Sequence, residues 1–182
     1  VIALDRLRIA GVHNVENAMA ATAVALLRGI DAAVIHHVLA EFRGLEHRSE
    51  FVRELRGVTY INDSKGTNVG AAQKSLESFS RPVILIAGGV GKGADFSALR
   101  PLVARRVKKA VLIGDARPQL RQALEGATTV AEADGLEEAV RIASESAVPG
   151  DVVLLSPACA SFDLFRDFED RGRRFKALVH AL

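Results

Sequence analysis

The residues best equipped for chemistry fall in polar breaks that follow apolar runs. Asn62-Asp63-Ser64-Lys65-Gly66-Thr67-Asn68 comes after Val58–Ile61, a short β-branched and aromatic run, and before a helical pattern over Val69–Phe79. Thr67 or Asn68 is placed to cap that helix. A strand that feeds a polar turn and a helix start offers backbone N–H groups and a positive dipole end to an anion. The turn adds a carboxylate, an amine and two hydroxyls. Two readings fit it alone: an anion site, or an ordinary βα connection whose Asn, Asp, Ser and Gly serve turn chemistry.

After Val83–Ala87 comes Gly88-Gly89-Val90-Gly91-Lys92-Gly93-Ala94-Asp95. Gly89, Gly91 and Ala94 match the dinucleotide fingerprint in its terminal-Ala form, and Asp115 stands about where a ribose-binding acid is expected. An NAD(P)-binding oxidoreductase domain is therefore one reading. Lys92 weighs against it, because a dinucleotide loop relies on close backbone approach. A Walker loop does not fit either: Ile86 stands where the first glycine belongs, and Gly93 follows the lysine where Ser or Thr is required. A lysine in a glycine nest suits one carboxylate or phosphate. That also fits a non-enzymatic module for small anions, and the plain alternative is a solvated loop lysine.

The third break follows Val152–Leu155 and runs Ser156-Pro157-Ala158-Cys159-Ala160-Ser161-Phe162-Asp163-Leu164-Phe165, then on to Gly172. Small residues at a strand end let a ligand approach the backbone, and Ser161 is placed to cap the final helix. Cys159 has no base beside it in sequence, so it reads as a small buried residue rather than a nucleophile. Asp163, Asp167, Glu169 and Asp170 read as helix-face charges. His13, His36, His37, His47 and His180 lack zinc-like spacing and read as structural or solvated.

The elements that hold these breaks alternate. Strands are expected at Phe51–Leu55, Val58–Ile61, Val83–Ala87, Ala110–Ile113, Thr128–Val130 and Val152–Leu155. Helices are expected at Val69–Phe79, from Asp95 to about Val107, and at Pro118–Leu124, Leu136–Ala147 and Asp163 towards Leu182. The first two strands, split by Arg56-Gly57, predict a hairpin. The others predict an α/β fold with a Rossmann-like, mostly parallel sheet, whose ligands collect beyond the strands' carboxyl ends. Upstream, Val1–Ile9 predicts a strand or strand pair. His13–Leu27 predicts a helix with Val15, Ala18, Met19, Thr22 and Leu26 on its apolar face. Asp31 caps a second helix over Ala32–Phe42, with Val34, Ile35, Val38 and Leu39 inward. A charged, glycine-containing link over residues 43–50 suggests a boundary, with 1–46 the tail of one domain and 47–182 a second domain.

Composition narrows the class. The 182 residues are 49% hydrophobic and 25% charged, which is ordinary for a globular protein. Lys plus Arg against Asp plus Glu gives 24 − 22 = +2, so there is no electrostatic case for nucleic acid. No run approaches the roughly 18 apolar residues of a membrane span. A single cysteine excludes an internal disulfide and suits a reducing, cytoplasmic setting. The chain begins at Val1, within structured sequence, as a fragment of a longer protein would.

His13-Asn14-Val15-Glu16-Asn17-Ala18-Met19-Ala20-Ala21, Gly44-Leu45-Glu46-His47-Arg48, Asn62–Asn68, Gly88–Lys92 and Ser156–Gly172 occur in this order. Together they make the chain resemble the Mur ligases, most specifically their D-glutamate-adding members. The resemblance implies an ATP-dependent amide ligase of peptidoglycan precursor synthesis. Such a ligase joins D-glutamate to UDP-N-acetylmuramoyl-L-alanine through an acyl phosphate. By position it implies Asn14 and Asn17 at adenine, Asp63 at the ribose, and Arg48 and Lys65 at phosphate or acyl-phosphate charge. It implies Thr67 and Lys92 at the D-glutamate α-carboxylate, with Ser161 and the Phe168 backbone at its side-chain carboxylate. It further implies a cytoplasmic monomer, with no membrane or nucleic-acid partner. The family's phosphate loop, magnesium ligands and UDP site are expected outside this chain, which is expected to be inactive alone. Gly66 departs from the usual alanine, and Val90 from a position that is often acidic.

Overall fold

The computed structural model describes residues 2–9, 12–42 and 44–182. The chain forms two compact units, Val1–Leu45 and Glu46–Leu182. The first holds helices α1 (Val12–Leu27) and α2 (Ala32–Glu41). At the end of α1 the Ile30 N–H reaches the Ala25 carbonyl (3.0 Å) and the Gly29 N–H reaches the Leu26 carbonyl (3.0 Å), the paired bonds of a Schellman ending. Asp31 caps α2 by accepting from the Ala33 N–H (2.7 Å).

Two expectations fail in this unit. Over residues 2–9 the backbone forms a 3-10 turn at Leu4–Arg6 and no strand. An alternating pattern becomes a strand only beside a partner, and among the described residues none pairs with it. The helices also bury less than their patterns suggest. Ala18 and Ile35 are buried, but Met19 is 66% exposed and Val34 and Val38 are 53% and 55% exposed. Two helices cover only a narrow strip of each other.

In the second unit, β1 (Glu50–Leu55) and β2 (Val58–Asn62) form the expected antiparallel hairpin. Its two-residue turn holds Arg56 at φ 53° and Gly57 at φ 76°, the left-handed pair that suits the strand twist. Then follow α3 (Val69–Glu77), β3 (Val83–Gly88), a 3-10 turn (Phe96–Leu99) and α4 (Arg100–Arg106). The remainder is β4 (Val107–Ile113), α5 (Arg117–Leu124), β5 (Thr129–Glu132), α6 (Leu136–Ser146), β6 (Val152–Leu155) and α7 (Phe168–Ala181). The sheet order is β1-β2-β6-β3-β4-β5, with every pair after the hairpin parallel.

Strand alternation splits the core into two layers. Leu85, Ala87, Leu112 and Leu154 face α3, α4 and α5, through Ala72, Leu76, Val103 and Leu120. Ile84, Ile86, Val111, Val153 and Leu155 face α6 and α7, through Val140, Ala143, Phe175 and Val179. Both faces are covered, which is why Val83–Ile86 and Val152–Leu155 read as unbroken apolar runs. The final helix begins at Phe168, not near Asp163, and Asp167 caps it by accepting from the Asp170 N–H (2.6 Å). Ser161 is therefore not its cap.

Candidate functional site

The carboxyl ends of β2, β6 and β3 lie side by side, and their loops are laced together. Asp63 extends the sheet by donating its N–H to the Leu155 carbonyl (2.8 Å). Its carboxylate accepts from the Ser49 N–H (3.1 Å) and the Ser156 hydroxyl (2.8 Å), and the residue is only 6% exposed. The Ala158 N–H donates to the Gly66 carbonyl (2.8 Å). A Cβ at Gly66 would sit 2.7 Å from the Ser156 hydroxyl and 2.8 Å from the Asp63 carboxylate. Glycine there does more than relax the turn: it leaves room for the Asp63–Ser156 bond.

The β3 loop meets the same β6 loop from the other side. Val90 and Ala160 exchange N–H···O bonds of 2.9 and 3.1 Å, and the Gly88 N–H donates to the Pro157 carbonyl (2.9 Å). A Cβ on Gly88 would fall on the Ile113 carbonyl, and one on Gly89 on the Ala160 carbonyl. These glycines admit neighbouring protein backbone, and that close approach accounts for them without a pyrophosphate. Lys92, exposed at the loop tip at φ 49°, carries its ammonium 5.6 Å from the Phe162 ring centroid.

Asn68 caps α3 through its side chain, which accepts from the Ala71 N–H (2.9 Å). Lys65 is exposed, with its ammonium 3.9 Å from the Phe168 ring centroid. Thr67 is half-buried beside it, and Ser161 is buried. Thr67 and Lys92 thus stand on loops that border the β6 loop, Ser161 lies within that loop, and Phe168 opens α7 at its end. Arg48 is exposed in the turn before β1. Asn14 and Asn17 share one turn of α1 in the other unit, Asn14 half-buried and Asn17 exposed. Burial pushes the Cys159 thiol up to about 12, with the Arg171 charge opposing the shift, so the residue is no nucleophile.

Beneath the loops lies a polar layer that sequence reasoning missed. Asn62 is fully buried, and its Nδ2 donates to the Glu50 carboxylate (2.9 Å) and His47 Nδ1 (2.9 Å). His47 is also buried, packs edge-on to the Phe168 ring (6.1 Å between centroids), and accepts the Lys65 N–H on its carbonyl (3.0 Å). A Cβ at Gly172 would overlap the His47 ring, so glycine in the α7 interior makes room for it. That glycine, inside a helical pattern, was the available signal. Arg171 is fully buried and donates to Ser64 and to the Cys159 carbonyl.

Among the described residues one grouping could in principle hold a metal: Glu46, His47 and Glu50. The Lys176 ammonium already sits there, 2.6 Å from Glu46 and 2.9 Å from Glu50. Its hydrogen bond holds the Glu46 carboxyl below the usual range. Burial works to lower the Lys176 value, but both carboxylates overcome it and hold the ammonium charged. These residues fit a structural ion pair better than magnesium, which needs oxygen ligands in near-octahedral array.

A family model described as the Mur ligase, glutamate ligase domain matches residues 47–159. The chain belongs to that family. The UDP-N-acetylmuramoylalanine–D-glutamate ligase of Geobacter sp. (strain M21) is 51% identical over 174 residues, covering 96% of this chain and 38% of the relative. The ligase of the same name from Caldicellulosiruptor bescii is 48% identical over 184 residues, covering all of this chain and 40% of the relative. The chain thus spans about two fifths of the length of the curated relatives it matches. Among solved structures, UDP-N-acetylmuramate-alanine ligase from Thermotoga maritima superposes with a TM-score of 0.71 at 21% identity, over 96% of this chain and 39% of that one. Folylpolyglutamate synthase from Mycobacterium tuberculosis, solved with ADP, gives 0.70 at 17% identity, over 94% and 41%. These two likenesses establish the fold. In this Mur ligase domain no helix of the described residues is long and apolar enough to cross a membrane.

Proposed function

We propose that this chain is the D-glutamate-binding part of an ATP-dependent ligase that extends UDP-N-acetylmuramoyl-L-alanine in the cytoplasm. The observation that carries the reading is the lacing of three strand-end loops, which leaves the Lys65 and Lys92 ammoniums exposed around one β6 loop. The ligase names of relatives at about half identity support it.

In such a reaction phosphate from ATP activates the acceptor carboxylate. The D-glutamate amine then forms the C–N bond as phosphate leaves and the amine loses a proton. The protein's task is positioning and charge neutralisation. Lys92 and Thr67 would hold the α-carboxylate of D-glutamate. Ser161 and the Phe168 N–H, the first of a helix and so without a helical carbonyl partner, would hold its side-chain carboxylate. Lys65 and Arg48 would face the acyl phosphate and the nucleotide phosphates. Asp63 would take the ribose, and Asn14 and Asn17 would contact adenine. The magnesium and triphosphate sites would be supplied by other parts of the longer ligase, which we take to act as a monomer.

The test uses a full-length ligase that carries this chain as its C-terminal part. Lys92→Ala and Ser161→Ala should each raise KM for D-glutamate by roughly ten- to hundredfold, the cost of a lost charge-assisted contact of about 1.5–3 kcal/mol. Unchanged D-glutamate kinetics in both variants would refute the assignment.

A further inference from the structure

Arg171 has no substrate role in the reading above, yet among the described residues it is the largest fully buried side chain. It leaves α7 and forks. Nε donates to the Ser64 hydroxyl (3.0 Å) and Nη2 to the Ser64 carbonyl (2.9 Å). Nη1 and Nη2 both reach the Cys159 carbonyl (3.3 Å each). The Ser64 hydroxyl passes the chain on, donating to the Phe168 carbonyl (2.7 Å). Among the described residues no carboxylate lies within hydrogen-bonding distance of the guanidinium. Burial pushes its pKa down to about 10, so it is still charged at neutral pH.

The Asp163 charge only partly offsets that burial, and a buried charge whose hydrogen bonds all go to neutral acceptors is a poor device for stability, because desolvation costs more than such contacts return. What the guanidinium offers instead is a rigid planar fork that reaches two backbones at once. One tine holds Ser64, which lies between Asp63 and Lys65. The other holds Cys159, two residues before Ser161. A displacement of the fork must therefore move the β2–α3 turn and the β6–α7 loop together.

We propose that Arg171 is a positioning residue that locks these two loops into one geometry, so that the nucleotide-facing and amino-acid-facing groups are set as a unit. This rests on the ligase reading for what the loops bind, but not for the lock itself. Arg171→Lys keeps the charge but cannot span both loops. In the full-length ligase it should raise KM for ATP and for D-glutamate together, each by roughly tenfold or more, whereas Lys92→Ala raises the D-glutamate value alone. In the present chain, hydrogen exchange should quicken over residues 62–68 and 156–163 in parallel, while the strands of β3 and β4 stay protected. Ser64→Ala, which removes the shared hydroxyl and keeps the carbonyl contact, should show the same paired effect at smaller amplitude and serves if the lysine variant does not fold.

A folded variant with both KM values within about twofold of wild type, or with faster exchange confined to α7 or to one loop, would overturn the proposal. If the parent ligase shows no dependence on D-glutamate, the ligase reading falls, and paired exchange of the two loops still decides the lock.

Discussion

Cys159 lies between groups assigned to substrate, yet burial pushes its thiol from 9.0 to about 12. The folded chain should resist iodoacetamide at pH 8, while the urea-unfolded chain gains one adduct by intact mass; equal labelling rates would contradict the burial. The sign of the pH effect follows from linkage. The folded value lies above the unfolded one, so the thiol's contribution to stability is complete below about 9 and is lost as pH rises towards 12. Gly172 poses a contest of magnitudes. Alanine in a helix interior gains about 1 kcal/mol over glycine, but here its Cβ would strike a His47 ring held by Asn62. Overpacking costs about 1–3 kcal/mol, so Gly172→Ala should lower the urea midpoint, by a net loss of up to about 2 kcal/mol.

At the scale of elements, sequence and structure agree where one local force decides. Apolar runs mark β3 and β6, Arg56-Gly57 marks the hairpin, and Asp31 and Asn68 mark helix starts. They part where a distant contact decides. Asp163 reads as the opening of the last helix, but its carboxylate is drawn away to the Asp115 N–H (3.0 Å) and its neighbour Leu164 (3.0 Å). Asp167 takes the capping role instead. Asp167→Ala should therefore cost about 1 kcal/mol in urea unfolding, and Asp163→Ala should leave helical circular dichroism unchanged; the reverse pattern would move the start of α7. The site divides in the same way. Its strand-end loops were legible as polar breaks, because ligands of parallel sheets gather there. Asn62, His47 and Arg171 were not, because their partners are remote in sequence: Ser64 lies 107 positions from Arg171.

At the scale of the molecule, the family match and the short coverage of its relatives set the expectation for activity. Mixed with ATP, magnesium and D-glutamate, the chain alone should release no phosphate above a no-enzyme control in a malachite-green assay. Turnover dependent on D-glutamate would show that machinery expected elsewhere in the longer ligase had been misplaced outside this chain.

 The phosphate-handling groups would then have to lie within residues 1–182.

The order of strands has a consequence for how the protein is made. Of the six strands described, β6 is the last to leave the ribosome, yet it pairs with both β2 and β3. Before it arrives, this sheet exists only as a hairpin and a three-stranded ribbon, each with an open edge that invites aggregation. A chain ending at Gly150 should accordingly elute as aggregate in size-exclusion chromatography, where the intact chain elutes as a compact species. The strand that closes the sheet also carries the loop on which every proposed D-glutamate contact leans. Translation of β6 therefore completes this sheet and the proposed D-glutamate surface in one late event.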